Sequence, residues 1–305
     1  MGRGSYTACD WNKLRASKAI NSQARPTILF KSDVNKDFVD GAKGIREARD
    51  SEDSPESTPV IIGFDVTASM GYLAGELAKN SMDRLIEMIL GSRAIKNPQI
   101  LCSAIGDCKS DKAPLQVTQF ESDIRIISEL LDLHLEGGGG GNGGESYNLL
   151  WYFASNHTVS DCFEKRGEKG FLVTVGDDNC HPDLSASEIK FVFADTVSYP
   201  VSNEELLRDV RKKYNVIHIH IEDENMPNDR IFDKWKTLLP GRTSVIGKKD
   251  ISYLADLILA MIKVCRGEKV NDALSEFDYE TSRILARSMA FVSESSTEKQ
   301  NVIAF

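Results

Sequence analysis

Short runs of apolar residues alternate along the chain with longer segments in which apolar residues recur at helical spacing. The run 60–66, VIIGFDV, is apolar at nearly every position, as in a strand buried on both faces of a parallel sheet. The segment 72–90 places Leu85 and Ile89 four positions apart, as in a helix with one buried face. Further apolar runs predict strands at 100–106, 171–176, 215–221 and 243–247.

The same alternation continues to the end of the core. The stretch 115–120 alternates and predicts an edge strand, and Asp250 is placed to cap the last core helix. Other helices are predicted at 123–133, around 147–154, at 203–213 and at 228–239. Strands and helices in this order predict an α/β fold with a doubly wound, mostly parallel central sheet flanked by helices. In such sheets ligands bind outside the carboxyl ends of the strands.

The pattern also divides the chain into three parts. Residues 1–57 form an N-terminal extension, with a helix predicted near 11–20, a strand at 27–30 and an exposed acidic linker before the core. Residues 58–266 form the core domain. Residues 267–305 carry a C-terminal helix and a polar tail.

Composition narrows the classes of function. Of the 305 residues, 46 are acidic and 37 basic, for a formal net charge of -9. Since non-specific nucleic-acid binding depends on neutralising phosphates, we expect no nucleic-acid partner. No stretch resembles a signal peptide or a membrane span, and six scattered cysteines are expected to be reduced. We therefore expect a cytoplasmic protein with no membrane attachment; a bacterial or viral source and the oligomeric state are left open.

Three oxygen-bearing side chains follow the first core strand at alternate positions: Asp65, Thr67 and Ser69. On a turn that enters a helix, this spacing directs a carboxylate and two hydroxyls to one point. Hard oxygen ligands of low total charge suit Mg²⁺ or Mn²⁺ rather than a soft metal. The alternative is structural, with Thr67 or Ser69 capping the helix that follows.

A glycine-rich loop, EGGGGGNGGES, occupies residues 136–146. It could be a flexible linker, because consecutive glycines cost much entropy to order. It could also be a phosphate cradle at the start of a helix. The chain lacks the Gly-x-x-x-x-Gly-Lys-Ser/Thr pattern of a P-loop, which disfavours nucleotide binding.

The segment 65–69, the glycine loop and Asp177 resemble, in this order, the metal-ion-dependent adhesion site of the von Willebrand factor A family. The loop is similar to the Gly-Gly-Gly-Asp/Asn-x-x-Glu variant of hemicentin-like members. The resemblance implies that Gly141 stands where a threonine ligates the metal, and that Asn142 supplies a carbonyl oxygen instead. Glu145 would cap a helix or hold a water. The missing hydroxyl predicts weaker metal binding.

The resemblance also assigns the aspartates that follow the strands. Asp177 is the expected water-mediated ligand, Asp178 is the reserve, and Asp107 belongs to a turn or lies outside the ligand shell. In the family the metal keeps an open coordination position that a carboxylate from a partner protein completes. We therefore expect a metal-dependent protein-interaction module, using Mg²⁺ or Mn²⁺, rather than an enzyme.

Two other functions stay open as alternatives. One is a scaffold whose site is degenerate, and the other is a metal-dependent hydrolase with His181 as its base. His218 and His220 face one side of a strand and could form half a zinc site with Cys180. Such histidines are more commonly core residues hydrogen-bonded to their neighbours.

Overall fold

The computed structural model describes residues 13, 16, 30–67, 70, 82–91, 94–135, 143–225 and 228–293. Its strands are β1 (Arg46–Ala48), β2 (Thr58–Asp65), β3 (Pro98–Ile105), β4 (Leu115–Val117), β5 (Thr158–Ser160), β6 (Gly170–Gly176), β7 (Asp183–Leu184), β8 (Val201–Ser202), β9 (Tyr214–Glu222) and β10 (Thr243–Gly247). Its α-helices are α1 (Lys36–Lys43), α2 (Met82–Gly91), α3 (Arg125–Leu131), α4 (Asn148–Asn156), α5 (Asp161–Arg166), α6 (Ala186–Phe193), α7 (Asn203–Lys213), α8 (Asp229–Leu238), α9 (Leu254–Cys265), α10 (Val270–Ser275) and α11 (Tyr279–Ser288).

Six strands form the central sheet in the order β10-β9-β6-β2-β3-β4. All neighbours pair in parallel except β3 and β4, which are antiparallel. Numbered along the chain within this sheet, the order is 3-2-1-4-5-6, that of Rossmann-type doubly wound sheets. The predicted fold class and the predicted edge strand are confirmed, and the edge strand β4 is antiparallel. The topological switch point lies between β2 and β6, where Val60 pairs with Phe171.

Helices cover both faces of the sheet because each central strand is apolar on both sides. On one face Ile62, Val173 and Ile217 share a core with α2, α3 and α9. On the other face Ile61, Leu172 and Val216 share a core with α4, α6 and α7. All eight positions of β2 and all eight of β3 are buried, which explains why these strands read as unbroken apolar runs.

The described part of the N-terminal extension packs on the core. Strand β1 pairs in parallel with β5, and α1 lies against β4 and α6. The acidic stretch before residue 58 is only partly exposed: Glu52 and Asp53 are exposed, whereas Ser57 is fully buried and Asp50 accepts hydrogen bonds from Ser57 and Arg166. Whether 58–266 folds alone stays a prediction. The helix near 11–20 and the strand 27–30 lie almost wholly outside the described residues.

The C-terminal segment also joins the core. It forms α10 and α11 rather than one helix, because Asp278 caps a new helix by accepting hydrogen bonds from the backbone N–H groups of Glu280 and Thr281. Leu274 and Leu285 are buried against the layer that contains α9. None of the helices in the described ranges is long and apolar enough to cross a membrane.

The predicted cap at Asp250 is wrong. This residue lies inside a 3₁₀ helix, Lys248–Tyr253, and its carboxylate pairs with Arg287 of α11 at 3.3 Å. Helix α9 begins four residues later, at Leu254, without a side-chain cap. Asp250 therefore ties the C-terminal helix to the core instead of starting a helix.

Candidate metal centre at the carboxyl edge of the sheet

Asp65 is the last residue of β2 and stands at the switch point between β2 and β6. Its carboxylate is only 1% exposed. One oxygen, Oδ1, accepts hydrogen bonds from the backbone N–H of Thr67 at 2.9 Å and from the Thr67 hydroxyl at 2.6 Å. Burial raises the pKa of Asp65 to about 6, and the nearby negative charge of Asp177 raises it as well. A negative charge here is therefore costly unless something offsets it.

Tyr147 holds the other oxygen of Asp65. Its buried hydroxyl donates a 2.7 Å hydrogen bond to Asp65 Oδ2, and its ring packs edge-on against His218 and Trp235. Gly176, at the end of β6, makes this possible, since a Cβ there would lie 1.9 Å from the Tyr147 hydroxyl oxygen. Sequence reasoning counted Tyr147 as a helix-face residue and missed its contact with Asp65. A tyrosine directly behind the glycine loop and a glycine before the aspartate pair were the available signals.

Glu145 is fixed by its backbone at the same edge. Its N–H donates to the carbonyl of Asn179 at 2.8 Å, and its carbonyl accepts from the N–H of His181 at 3.1 Å. The end of the glycine loop is thus held against the segment that follows β6. Gly144 is needed for this approach, because a Cβ at that position would lie 2.9 Å from the carbonyl oxygen of Asn179.

The Glu145 side chain is 2% exposed, and its Oε2 has no hydrogen-bond partner among the described residues. Burial, and then the negative charges of Asp65, Asp107 and Asp178, raise the pKa of Glu145 to about 9. In the described part of the chain neither Asp65 nor Glu145 forms an ion pair with a lysine or arginine. Glu145 therefore neither caps the following helix nor is neutralised by a neighbouring side chain.

Asp107 follows β3 and is fully buried beside this group. It lies 2.9 Å from His181 Nε2, and the Ser146 hydroxyl donates to it at 3.3 Å. The ammonium of Lys109 lies 3.1 Å from His181 Nδ1. Because an ammonium can only donate, Nδ1 accepts that bond, and the N–H of Nε2 donates to Asp107. Both ring nitrogens of His181 are thus engaged.

The two aspartates after β6 are placed differently. The negative charge of Asp177 contributes to the raised pKa of both Asp65 and Tyr147. Asp178 accepts from the backbone N–H of Asn179 at 2.6 Å, and its carbonyl accepts from the indole N–H of Trp235 at 2.9 Å. The choice of Asp177 as the water-mediated ligand, with Asp178 in reserve, stays a prediction.

Part of the predicted ligand set cannot be placed. Ser69, Asn142 and Gly141 lie outside the described residues, as does the rest of 136–142, so their roles stay predictions. No three His, Cys, Asp or Glu side chains converge on a metal-sized position within the described ranges. A site of the predicted type relies on hydroxyls as well as carboxylates, and among the hydroxyls only Thr67 can be placed, at hydrogen-bond distance from Asp65.

The donor chemistry of this edge suits a hard divalent cation. Asp65, Thr67, Glu145 and Asp177 offer only oxygen atoms, the ligands that Mg²⁺ and Mn²⁺ prefer. The buried Glu145 Oε2 without a partner is the kind of group that an ion would satisfy.

The two histidines of β9 are core residues. His218 is fully buried and stacks on Trp235 with ring centroids 3.4 Å apart, while His220 is 3% exposed. The thiol of Cys180 accepts a hydrogen bond from the side chain of Asn203 instead of approaching these rings. The core interpretation of the histidines is confirmed, and their geometry gives no support to a zinc site with Cys180.

Two sizeable clefts lie away from this edge. One, of about 710 Å³, lies between α7 and α8, and the other, of about 650 Å³, lies between α2 and the end of α9. Neither is lined by a predicted metal ligand. The chemistry at the carboxyl edge is therefore not part of either cleft.

Comparisons with known proteins give only distant likenesses. No protein family and no curated protein matches the chain by sequence. Among solved structures, the pilus adhesin SpaC of Lactobacillus rhamnosus GG has a TM-score of 0.49 at 9% identity, covering 72% of this chain and 31% of that chain. The mussel byssus protein PTMP1, solved with a zinc-occupied MIDAS motif, has a TM-score of 0.42 at 11% identity, covering 72% and 48%.

A third similar structure is a von Willebrand factor type A protein from Catenulispora acidiphila, with a TM-score of 0.37 at 14% identity, covering 70% of this chain and 43% of that chain. The chain thus spans less than half the length of each of these three proteins. All three TM-scores are below 0.5, so the strand order of the central sheet, and not these likenesses, defines the fold.

Proposed function

We propose that this chain is a metal-dependent protein-interaction module of the von Willebrand factor A type. A divalent cation, Mg²⁺ or Mn²⁺, binds at the carboxyl edge beside Asp65, and an oxygen group of a partner protein completes its coordination. The observation that carries the proposal is the buried Glu145 Oε2, which has no partner in the described part of the chain and lies among other carboxylates at the switch point.

The proposed roles follow the resemblance to the adhesion-site motif. Asp65 anchors the ion, Thr67 and Ser69 ligate it through their hydroxyls, Asn142 offers a carbonyl oxygen, and Asp177 acts through a water. The bound cation supplies positive charge that attracts the partner's oxygen, for which the resemblance implies a carboxylate. The chain contributes a rigid, buried anchor, because both Asp65 oxygens are already oriented by hydrogen bonds.

A scaffold with a degenerate site is the second candidate, and one observation favours it. The hydrogen bonds from Thr67 and Tyr147 satisfy both oxygens of Asp65 without any ion. In that case the carboxyl edge would be a structural hydrogen-bond network. The hydrolase alternative has less support, since both ring nitrogens of His181 are engaged by Asp107 and Lys109.

An affinity pull-down with and without Mg²⁺ separates the first two functions. The baits are the parent chain, Asp65→Asn and the control Asp53→Asn. Each is used with Mg²⁺ at about 5 mM, on the order of what saturates a weak site, or with a chelator. Asp53 is exposed and precedes the first residue of β2, whereas Asp65 is its last, so the control makes the same charge change away from the carboxyl edge. Partners retained only with Mg²⁺, and lost in Asp65→Asn, support the proposal. Equal capture in chelator by all three baits contradicts it and supports the scaffold.

A further inference from the structure

We infer that Glu145 is itself a metal ligand and replaces the threonine that the glycine loop lacks. The isolated chain then takes up the cation without needing its partner to complete the shell. This inference rests on the proposed function, because it concerns the same ion beside Asp65. It changes one expectation from the sequence, namely that Gly141 leaves the site weak.

The position of Glu145 is determined by the fold rather than by its own side chain. Its backbone N–H and C=O are both hydrogen-bonded to the segment 179–181 after β6, at 2.8 and 3.1 Å. Gly144 permits that approach by lacking a side chain. The carboxylate is thus presented at the switch point from a backbone that is held on both sides, as a ligand position requires.

Three carboxylates at this edge are satisfied to different degrees. Asp65 accepts three hydrogen bonds, and Asp107 is hydrogen-bonded by His181 and Ser146. Glu145 is only 2% exposed, yet its Oε2 has no hydrogen-bond partner among the described residues. An ionised carboxylate buried there without a partner is strongly unfavourable, and a bound cation would offset its charge and satisfy Oε2.

A carboxylate is also a stronger ligand than the hydroxyl it would replace. A threonine contributes a neutral oxygen, whereas glutamate contributes a full negative charge to a hard divalent ion. With Asp65 and Asp177 already at the edge, Glu145 raises the attraction for the cation before any partner arrives. The absence of a side chain at Gly141 then no longer predicts weak binding.

The test is a Mn²⁺ titration of the full chain by calorimetry, using the parent, Glu145→Gln, Asp65→Asn and the control Glu268→Gln. Glu268 is only half-buried and lies beyond the end of α9, so its variant makes the same charge change at a distance. We expect one Mn²⁺ site in the parent, at least about tenfold weaker binding in Glu145→Gln, and no measurable binding in Asp65→Asn. The control should stay within about twofold of the parent.

Thermal unfolding gives a second readout that a merely structural glutamate would not produce. In chelator, Glu145→Gln should unfold at about the same temperature as the parent, because a buried carboxyl whose Oε2 has no hydrogen-bond partner is replaced by a neutral amide of the same shape. With Mn²⁺ the parent should gain more stability than the variant. An equal loss of stability in Glu145→Gln with and without Mn²⁺ overturns the inference.

The outcomes separate this inference from the proposed function. Unchanged Mn²⁺ affinity in Glu145→Gln, together with lost binding in Asp65→Asn, overturns the role of Glu145 alone. Unchanged affinity in Asp65→Asn, or no binding by the parent, overturns both. If Glu145→Gln does not fold, Glu145→Asp keeps the charge on a shorter side chain, and it should fold and bind Mn²⁺ more weakly than the parent; parent-like binding contradicts the inference.

Discussion

Two groups of buried or half-buried acids in this protein have opposite electrostatic surroundings. At the carboxyl edge, Asp65 and Glu145 have pKa values raised to about 6 and about 9. Where the N-terminal extension meets α5, Asp50 and Asp161 have lowered pKa values, about 2 for Asp161. Burial raises the pKa at both places, so burial alone does not explain the difference.

Ion pairing explains the difference between the two sets of pKa values. Asp161, whose side chain is 5% exposed, accepts hydrogen bonds from Lys165 at 2.7 Å, from the backbone N–H of Asp50 at 2.9 Å and from Arg49 at 2.9 Å. Asp50 in turn pairs with Arg166 at 2.7 Å. At the junction the chain supplies its own cations. At the carboxyl edge, the described lysines and arginines leave Asp65 and Glu145 without an ion pair.

This difference separates a structural cluster from a binding site. Acids that join two parts of a chain are stabilised by basic residues within the chain, and their removal should cost stability. Acids that await a ligand have raised pKa values in the free protein because no basic side chain offsets their charge, and their removal should cost binding instead. Each prediction below tests one side of this contrast.

The largest expected effect is the loss of stability in Asp161→Asn. Removing the charge leaves Arg49 and Lys165 without their buried partner, and we expect about 3 kcal/mol lower free energy of unfolding. Asp65→Asn, measured in chelator, should change the free energy of unfolding by less than about 1 kcal/mol, because the amide keeps most hydrogen bonds while losing the buried charge. Urea unfolding of both variants checks this, and equal losses would remove the contrast.

The pH dependence of stability should show the same junction. The folded-state pKa of Asp161 lies below the ordinary value of 3.8, so its contribution is fully present above that value and is lost as the pH falls through about 2. Across that window the parent should lose about 2 kcal/mol more than Asp161→Asn. Denaturant unfolding between pH 5 and pH 2 measures it, and parallel curves for the two proteins would show that the carboxylate is not stabilised by its partners.

The sequence predicted the strands that position the site better than the side-chain contacts within it. The apolar run 60–66 revealed β2, because a strand buried on both faces has no polar alternation, and it placed Asp65 at the correct edge. The pairing of Arg49 with Asp161 joins residues 112 positions apart, which no local pattern contains. The acidic composition before residue 58 predicts exposure, as Glu52 and Asp53 show, but it does not contain the partners that the fold supplies to Asp50.

The same reason explains what was missed at the edge. Tyr147 was recognised as part of a helix face, yet its hydroxyl reaches Asp65 only because Gly176 leaves room on the neighbouring strand. Tyr147 and Gly176 belong to two separate sequence patterns, and only the fold brings the two residues into contact. Asp250 was predicted as a cap because it precedes an apolar stripe at helical spacing. The chain forms a 3₁₀ helix at this point instead, and Arg287 of α11 pairs with the Asp250 carboxylate.

Gly176→Ala should show how tightly the edge is packed. The added Cβ would lie 1.9 Å from the Tyr147 hydroxyl oxygen, so the ring or β6 must move, and we expect about 2 kcal/mol lower stability. Gly91→Ala is the control, because its Cβ would contact nothing within 4 Å and alanine favours a helix. Thermal unfolding compares them, and a harmless Gly176→Ala would show that the edge tolerates displacement of Tyr147.

The smallest expected effect comes from removing one buried tyrosine hydroxyl at the carboxyl edge or one near the junction of the N-terminal extension with the core. Tyr147→Phe leaves Asp65 Oδ2 without its donor, and Tyr214→Phe removes a similarly buried hydroxyl that lies 2.7 Å from Thr158 near the junction. Each should cost about 1 kcal/mol of stability, since each breaks one buried hydrogen bond. Only Tyr147→Phe should also change Mn²⁺ affinity, because only Tyr147 orients the anchoring carboxylate. Calorimetric titration of the two variants decides this: an equal change in both would mean that Mn²⁺ affinity follows general stability, and no change in either would mean that Tyr147 does not position the metal site.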